Sequence, residues 1–303
     1  MRASRDFFIG ISKVALSNFK ELDLGAGVRS LHTGHGNPMT TRREIMKRAG
    51  MLAGAATFSA HAALAETAML LDCSVVELRQ YTLHAGARQT LISLFESEFI
   101  QPQQTLGMPV FGPFRDLDDA NRFVWMRGFP DMPERKRMLA AFYGGPVWMA
   151  HRQAANATML DSDNVLLLRP EPAARTASGS GVQRHNLLIA NIHYLTSSAI
   201  EEFASFFEHS MRPRLAETGA HVFASFRTED APNTFPKLPV REGETVFVWL
   251  AALPDMDHYR QHLATLHAGP DWREHASENV LHQLARKPEV LLLAPTPHAQ
   301  LKT

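Results

Sequence analysis

The strongest constraint in this sequence is that it repeats itself. Phe123-Val124-Trp125 returns as Phe247-Val248-Trp249, and Pro130-Asp131-Met132 returns as Pro254-Asp255-Met256. Gly145-Pro146-x-Trp148-x-x-His151 returns as Gly269-Pro270-x-Trp272-x-x-His275, and all three matches lie 124 positions apart. Upstream the spacing is 112: Phe95-Glu96 with Phe207-Glu208, Gly107 with Gly219, Val110-Phe111 with Val222-Phe223, and Phe114-Arg115 with Phe226-Arg227. The 12-residue difference falls in one loop of the second half, Thr228 to Glu244, whose three prolines and alternating charges suit a surface excursion. Leu166-Leu167-Leu168-Arg169-Pro170 is matched in turn by Leu291-Leu292-Leu293-Ala294-Pro295. A duplication on this scale dictates two modules, 75–170 and 187–295. Residues 171–186 join them, and Ala177-Ser178-Gly179-Ser180-Gly181 has linker composition.

Each module reads β-α-β-β-α-β. Val75 to Leu83 is a predicted strand. Ala87 to Gln101 is a predicted amphipathic helix, with Leu91, Leu94, Phe95 and Phe99 on one face and Phe203, Phe206 and Phe207 as the second-half mates. Pro102 and Pro213 are expected to end these helices. Val110–Arg115 and Arg122–Arg127 form a hairpin around a polar turn. Asp131 caps the next helix with Glu134 three residues on, Gly144-Gly145 stops it, and Pro146 restarts it to about Thr158. Asp161–Asn164 is expected to turn into a last strand, Val165–Arg169. This order is the ferredoxin-like split βαβ. The strand faces go further: Phe123 and Trp125 oppose Val124 and Met126, and Phe247 and Trp249 oppose Val248 and Leu250. A strand apolar on both faces is covered on both. Helices cover one face and the other repeat covers the second. The expected fold is therefore α+β, with two tandem ferredoxin-like modules whose antiparallel sheets pack as an intramolecular α/β-barrel pseudo-dimer.

The N-terminal stretch reads as an address. Thr41-Arg42-Arg43-Glu44-Ile45-Met46-Lys47 resembles a twin-arginine export signal, followed by a weakly apolar Ala/Gly-rich run ending Ala63-Leu64-Ala65, a cleavage pattern closing at Ala65. The run is too short and weakly apolar for a membrane span. Such signals begin close to a start codon, so Met39 is the expected start. Residues 1–38 are read as a disordered upstream extension, 39–65 as the signal and 66–74 as a flexible mature N-terminus. The expected partner is the twin-arginine export machinery and the expected location periplasmic or secreted, or cytoplasmic if the signal is not used. Lys plus Arg and Asp plus Glu are 31 each, which argues against nucleic acid as a partner. The lone cysteine, Cys73, excludes an intramolecular disulfide and multi-cysteine metal sites, and is expected to lie in the flexible segment.

Four first-half segments carry a family resemblance: Glu77-Leu78-Arg79-Gln80-Tyr81-Thr82-Leu83, Phe114–Asp118 with Arg122–Trp125, Phe129-Pro130-Asp131-Met132, and Phe142-Tyr143-Gly144-Gly145-Pro146-x-Trp148. They resemble the NIPSNAP family of the dimeric α/β-barrel superfamily. The second half is more divergent, and Leu188–Asn191 lacks the charge of Glu77–Gln80. The resemblance implies that the two halves close one barrel within the chain, as a monomeric pseudo-dimer or a homodimer of such chains. Superfamily relatives include cofactor-independent monooxygenases, haem-handling enzymes, dehydratases and plain binders, so the site must be argued from residues.

Glu77, Arg79 and Tyr81 alternate and share a strand face; their second-half mates are Ile189, Asn191 and His193. One reading lines a barrel cavity with Arg79, Tyr81, Asn191 and His193, Arg79 holding an anionic group and Tyr81 or His193 moving a proton. Trp125, Trp249 and Tyr143 join the ligand-binding candidates, Tyr143 at the barrel mouth. The other reading makes Glu77 and Arg79 an ordinary pair on a solvent-exposed edge. Trp148 and His151 read as helix–sheet packing. His258 and His262 have a metal-compatible spacing but read as solvated surface, and no metal or cofactor is expected. Dinucleotide, phosphate-loop, zinc-protease and serine-hydrolase motifs are missing. Three functions stay open: a binder of a small, largely apolar molecule with an anionic end, a cofactor-free oxygenase or isomerase, and a protein-interaction module with a filled core.

Overall fold

Eight antiparallel strands close on themselves in the order β1-β3-β2-β8-β5-β7-β6-β4. The computed structural model describes residues 72–171, 186–269 and 282–296. Arg42, Arg43, Ala65 and the whole expected export segment lie outside these residues, as do Trp272, His275 and most of the linker. The first half contributes β1 (Val75–Leu83), helix α1 (Arg88–Leu94), a π turn (Phe95–Phe99), α2 (Ile100–Thr105), β2 (Val110–Asp116), β3 (Arg122–Phe129), α3 (Met132–Tyr143), α4 (Pro146–Asn156) and β4 (Met159–Pro170). The second contributes β5 (Leu187–Leu195), α5 (Ile200–Phe206), a π turn (Phe207–Met211), α6 (Arg212–Glu217), β6 (His221–Thr228), β7 (Thr245–Leu253), α7 (Met256–Ala268) and β8 (Leu284–Pro295). The strands of each half run 4-1-3-2, the ferredoxin-like order, and the halves join edge to edge at β2–β8 and β4–β6. Closure leaves no sheet edge open.

Alternation along each strand divides the apolar residues into three cores. The lumen holds Val76 and Leu78 of β1, Val124 and Met126 of β3, Ala190 and Ile192 of β5, and Val248 and Leu250 of β7, with no helical residue among them. The other face of the first sheet, with Phe123, Trp125 and Phe129, packs on Phe95, Phe99 and Phe142 of the helices. The second sheet does the same with Phe247 and Trp249 against Phe203 and Phe207. An eight-stranded barrel is just wide enough for side chains to fill it, as these do.

Local features follow the sequence with four corrections. Asp131 caps α3 by accepting from the Glu134 amide at 2.7 Å, as the capping pattern predicts. Pro102 and Pro213, expected as helix ends, sit inside α2 and α6. In both repeats a π turn comes just before, with Ile100 and Arg212 donating to Phe95 and Phe207, so the helix is already widened where the proline lacks its donor. Asp161–Asn164, expected as a turn, belongs to β4, and a register shift against β1 between Gln80 and Thr82 absorbs it. Cys73, expected in a flexible segment, is buried in the lumen core, and Ser74 donates to the Phe129 carbonyl. Lastly, the Thr228–Glu244 excursion is not free surface: Ala231, Phe235, Leu238 and Val240 pack on the core of the first half.

Candidate functional site

Alternation puts Glu77, Arg79 and Tyr81 together on the face of β1 opposite Val76 and Leu78. That face is neither the barrel interior nor a solvent edge. It looks into the layer between the first sheet and its helices, and all three side chains are buried. Cross-strand register puts Arg127 of β3 opposite Glu77, and α3 brings Arg135. Glu77 thus carries three arginines: Oε2 accepts from Arg79 Nη1 at 2.6 Å and Arg127 Nε at 2.7 Å, and Oε1 accepts from Arg135 Nε at 2.8 Å. None of the four charged groups is more than 1% exposed. Burial would push the Glu77 carboxyl up, but Arg127, Arg79 and Arg135 outweigh it and hold the group well below the usual carboxylate range.

The balance of charge is unusual. Three guanidinium charges meet one carboxylate charge, and among the described residues no second acid hydrogen-bonds to them. Burial and the neighbouring Glu77, Arg127 and Arg79 act on Arg135 together, and the net effect lowers its pKa. Buried charge is expensive unless compensated, so an excess of buried cation calls for an anion. The hydrogen-bond inventory agrees. Arg127 Nη1 donates to Gln103 Oε1 at 3.0 Å and to the Tyr143 hydroxyl at 3.4 Å, while its Nη2 has no partner among the described residues. Trp125 Nε1 is equally unmatched, and both Arg79 and Arg127 lie over the Trp125 ring. Arg135 Nη2 lies 2.7 Å from Glu77 Oε1 but off the hydrogen-bonding line. Arg79 Nε donates to the Tyr81 hydroxyl at 2.8 Å, which leaves the tyrosine's own hydrogen uncommitted. What this layer lacks is acceptors, and an oxyanion is a group made only of acceptors.

The second half serves as an internal comparison. At the repeat-related positions Glu77, Arg79, Tyr81, Arg127 and Arg135 become Ile189, Asn191, His193, Ala251 and Tyr259. Trp125 is kept as Trp249, whose Nε1 donates to His193 Nε2 at 3.1 Å. Burial pushes the His193 imidazole down to about 3, so the ring is neutral at ordinary pH. The second half therefore carries no charge at these five positions; its own ion pairs, Arg212 with Glu208 and Arg227 with Glu171 and Glu201, lie elsewhere and are each matched by an acid.

The predicted site residues consequently fall into two sets. Arg79, Tyr81, Trp125 and Tyr143 meet around Glu77 in the first layer; Asn191, His193 and Trp249 meet in the second. The expected single cavity lined by Arg79, Tyr81, Asn191 and His193 does not form, because all four point outward under different helices. Tyr143 is not at a barrel mouth: its ring packs on Phe142 and Trp148, with Phe235 stacked on it at 6.1 Å. Trp148, expected in a helix–sheet seam, packs between helices instead, against Phe99, Phe142 and Tyr143. His258 is exposed beside Asp255, but His262, expected on the surface, is buried against the Thr218 hydroxyl at 2.8 Å. Sequence reasoning missed Arg127, Arg135 and Gln103. The signal was present, since Arg127 and Arg135 are charged where the other repeat carries alanine and tyrosine.

The NIPSNAP family model matches residues 76–174, which hold all of Glu77, Arg79, Arg127 and Arg135. No curated protein sequence matches the chain. An anthrone oxidase-like protein is similar in structure over 73% of this chain and 91% of its own, with a TM-score of 0.53 at 10% identity, a likeness of fold. Two proteins of Burkholderia xenovorans align with shorter stretches. A NIPSNAP domain protein is 18% identical over 32% of this chain and 95% of its own, TM-score 0.30. A NIPSNAP-like domain protein is 24% identical over 38% of this chain and 89% of its own, TM-score 0.29.

Proposed function

We propose that the NIPSNAP domain of this chain, residues 76–174, binds a small molecule through an anionic group held by Arg79, Arg127 and Arg135, and that the second half is scaffold for it. One observation carries the reading: the first sheet–helix layer buries three arginines on one carboxylate, while the repeat-related layer holds Ile189, Asn191, Ala251 and Tyr259. The fold does not need the charges, so the excess is explained by a ligand. Trp125, Tyr143 and the phenylalanines around them supply the apolar surroundings of a ligand site with a few placed polar groups. The lumen, filled by aliphatic and aromatic side chains, is support. The Arg42-Arg43 motif and Ala63-Leu64-Ala65 favour delivery by the twin-arginine route, which the N-terminal mass of the mature protein tests.

The binding reading is tested by tryptophan fluorescence titration with monocarboxylates (acetate, hexanoate and benzoate) at constant ionic strength, alongside native mass spectrometry of the purified protein. Saturable binding of at least one acid, lost in Arg127→Met with the melting transition intact, is the expected result. Absence of any saturable signal, with a bare native mass, overturns the reading.

A second reading places proton transfer at the same spot. The Tyr81 oxygen accepts from Arg79, so its hydrogen is free to meet a bound oxyanion, and burial keeps the phenol protonated by pushing its pKa up. An isomerase-type reaction would then depend on Tyr81 and not on His193, which lies in the other layer. Tyr81→Phe would retain carboxylate binding and lose turnover.

A further inference from the structure

The second-half insertion covers the arginine layer of the first half, and its contacts have the form of a ligand. Both ends of the segment are tied to β4, Glu229 donating to the Leu167 carbonyl at 2.9 Å and Arg241 to that of Val165 at 2.8 Å. Between these anchors, Asn233 Oδ1 and Thr234 Oγ1 accept from Arg135 Nη1 at 3.0 and 3.3 Å. Thr234 spends its own hydrogen on the Met132 carbonyl at 3.1 Å, so toward Arg135 it acts only as an acceptor. The next residue, Phe235, lays its ring over Tyr143 with an interplanar angle of 25°. Two oxygens on a guanidinium and a flat ring on a tyrosine reproduce the outline of an aromatic carboxylate. The oxygens are neutral, however, and leave the positive charge of the layer uncompensated. A true carboxylate makes the charge-assisted version of the same contacts and forms the stronger bonds.

We infer that residues 230–240 are an internal stand-in for the ligand: the physiological ligand is an aryl carboxylate, which displaces Asn233 and Thr234 from Arg135 and Phe235 from Tyr143. This rests on the anion-binding reading above and adds the ligand class and the route of entry, beneath the insertion. The segment is internally tied, Asn233 Nδ2 donating to the Leu238 carbonyl and the Phe235 amide to Asn233 Oδ1. It can therefore lift as a unit on the β4 anchors. An intramolecular competitor lowers apparent affinity by the fraction of time it occupies the site.

The test uses the whole chain with benzoate as probe and hexanoate as the equally charged but flexible control. Wild type is expected to bind benzoate at least fivefold more tightly than hexanoate. Combined Asn233→Ala and Phe235→Ala should tighten benzoate at least tenfold by removing the competitor. A second readout needs no variant: benzoate should speed amide hydrogen exchange across residues 230–240 of wild type. Equal affinity for the two acids, an unchanged or weaker benzoate affinity in the double variant, or slower exchange on binding overturns the inference. Any of these, with acid binding still lost in Arg127→Met, leaves the anion-binding reading standing. No saturable binding of either acid overturns both.

Discussion

Arg127 donates to Glu77 Oε2 across 2.7 Å with neither side chain exposed, and in the second repeat the same two places hold Ala251 and Ile189. One backbone architecture thus accommodates a charged cluster at these positions in one repeat and uncharged side chains in the other. Among the described residues Glu77 is the only acid that ties Arg79, Arg127 and Arg135 together, so its removal leaves three buried cations facing one another. Breaking a buried pair from one side costs about 3–5 kcal/mol, because the partner's desolvation is then uncompensated. Glu77→Gln should lower unfolding stability by roughly that amount in urea titrations. A loss below about 1 kcal/mol would mean that water reaches the cluster.

Removing the whole charge set should behave differently. A variant carrying Glu77→Ile, Arg79→Asn, Gln103→Leu, Arg127→Ala and Arg135→Tyr copies the second half into the first. Replacing a buried ionic cluster with packed neutral residues is often neutral or stabilising by about 1–4 kcal/mol. The variant should therefore melt close to wild type and no longer bind any carboxylate. Retained binding in a folded variant would exclude the layer as the site.

How far this was legible from sequence depends on what the pattern encodes. The duplication fixed two modules, and strand alternation put Glu77, Arg79 and Tyr81 on one face correctly. Parity does not say which face is inside, though, when both faces are covered: Trp125 and Val124 are equally buried on opposite sides of β3. Parity thus leaves the polar column open to a lumen, which the structure fills with Val76 and Leu78, or to a solvent-exposed edge, and the column lies in neither. Arg127 and Arg135 join Glu77 only through sheet register and helix packing, contacts made across 50 and 58 positions, which local spacing cannot express. Pro102 and Pro213 misled for a related reason, since a π turn leaves no signature in residue type. The insertion Thr228–Glu244 was recognised by length, while its occupancy of the first-half site through Asn233, Thr234 and Phe235 is a tertiary fact.

Gly128 of β3 lies directly against Cys73, which precedes β1. A Cβ built there would lie 2.1 Å from Cys73 Sγ and 2.9 Å from its Cβ. Gly128→Ala must push Cys73 out of the lumen core, an overpacking expected to cost about 1–3 kcal/mol. Cys73→Ala in the same chain should recover most of that loss, giving a double-mutant coupling of roughly 1 kcal/mol or more. Strict additivity of the two changes would show that the thiol is not what Gly128 accommodates. The same packing makes Cys73 a poor nucleophile, since burial and the neighbouring Asp72 push its thiol up to about 12.

His193 gives the second layer a pH dependence of definite sign. Burial pushes its pKa down to about 3 from an ordinary 6.5, so the unfolded chain takes up a proton well before the folded one does. Its contribution to stability is complete above about pH 6.5 and is lost as pH falls through the window toward 3, with a limiting slope of about 1.4 kcal/mol per pH unit. His262 is also held below its ordinary value by burial and adds a slope of the same sign. Wild type alone therefore does not isolate His193. The informative quantity is the difference between wild type and His193→Gln, which keeps an acceptor for Trp249 Nε1 but cannot take up a proton. Urea titrations between pH 7 and 4 should show wild type losing stability faster than the variant, the gap widening steadily below pH 6. Glu77 enters only below its ordinary range near 4.5, because the three arginines keep it ionised in the folded state, and its contribution is common to both proteins. Parallel stability curves for the two chains would mean that water reaches His193 and that the second layer is not sealed.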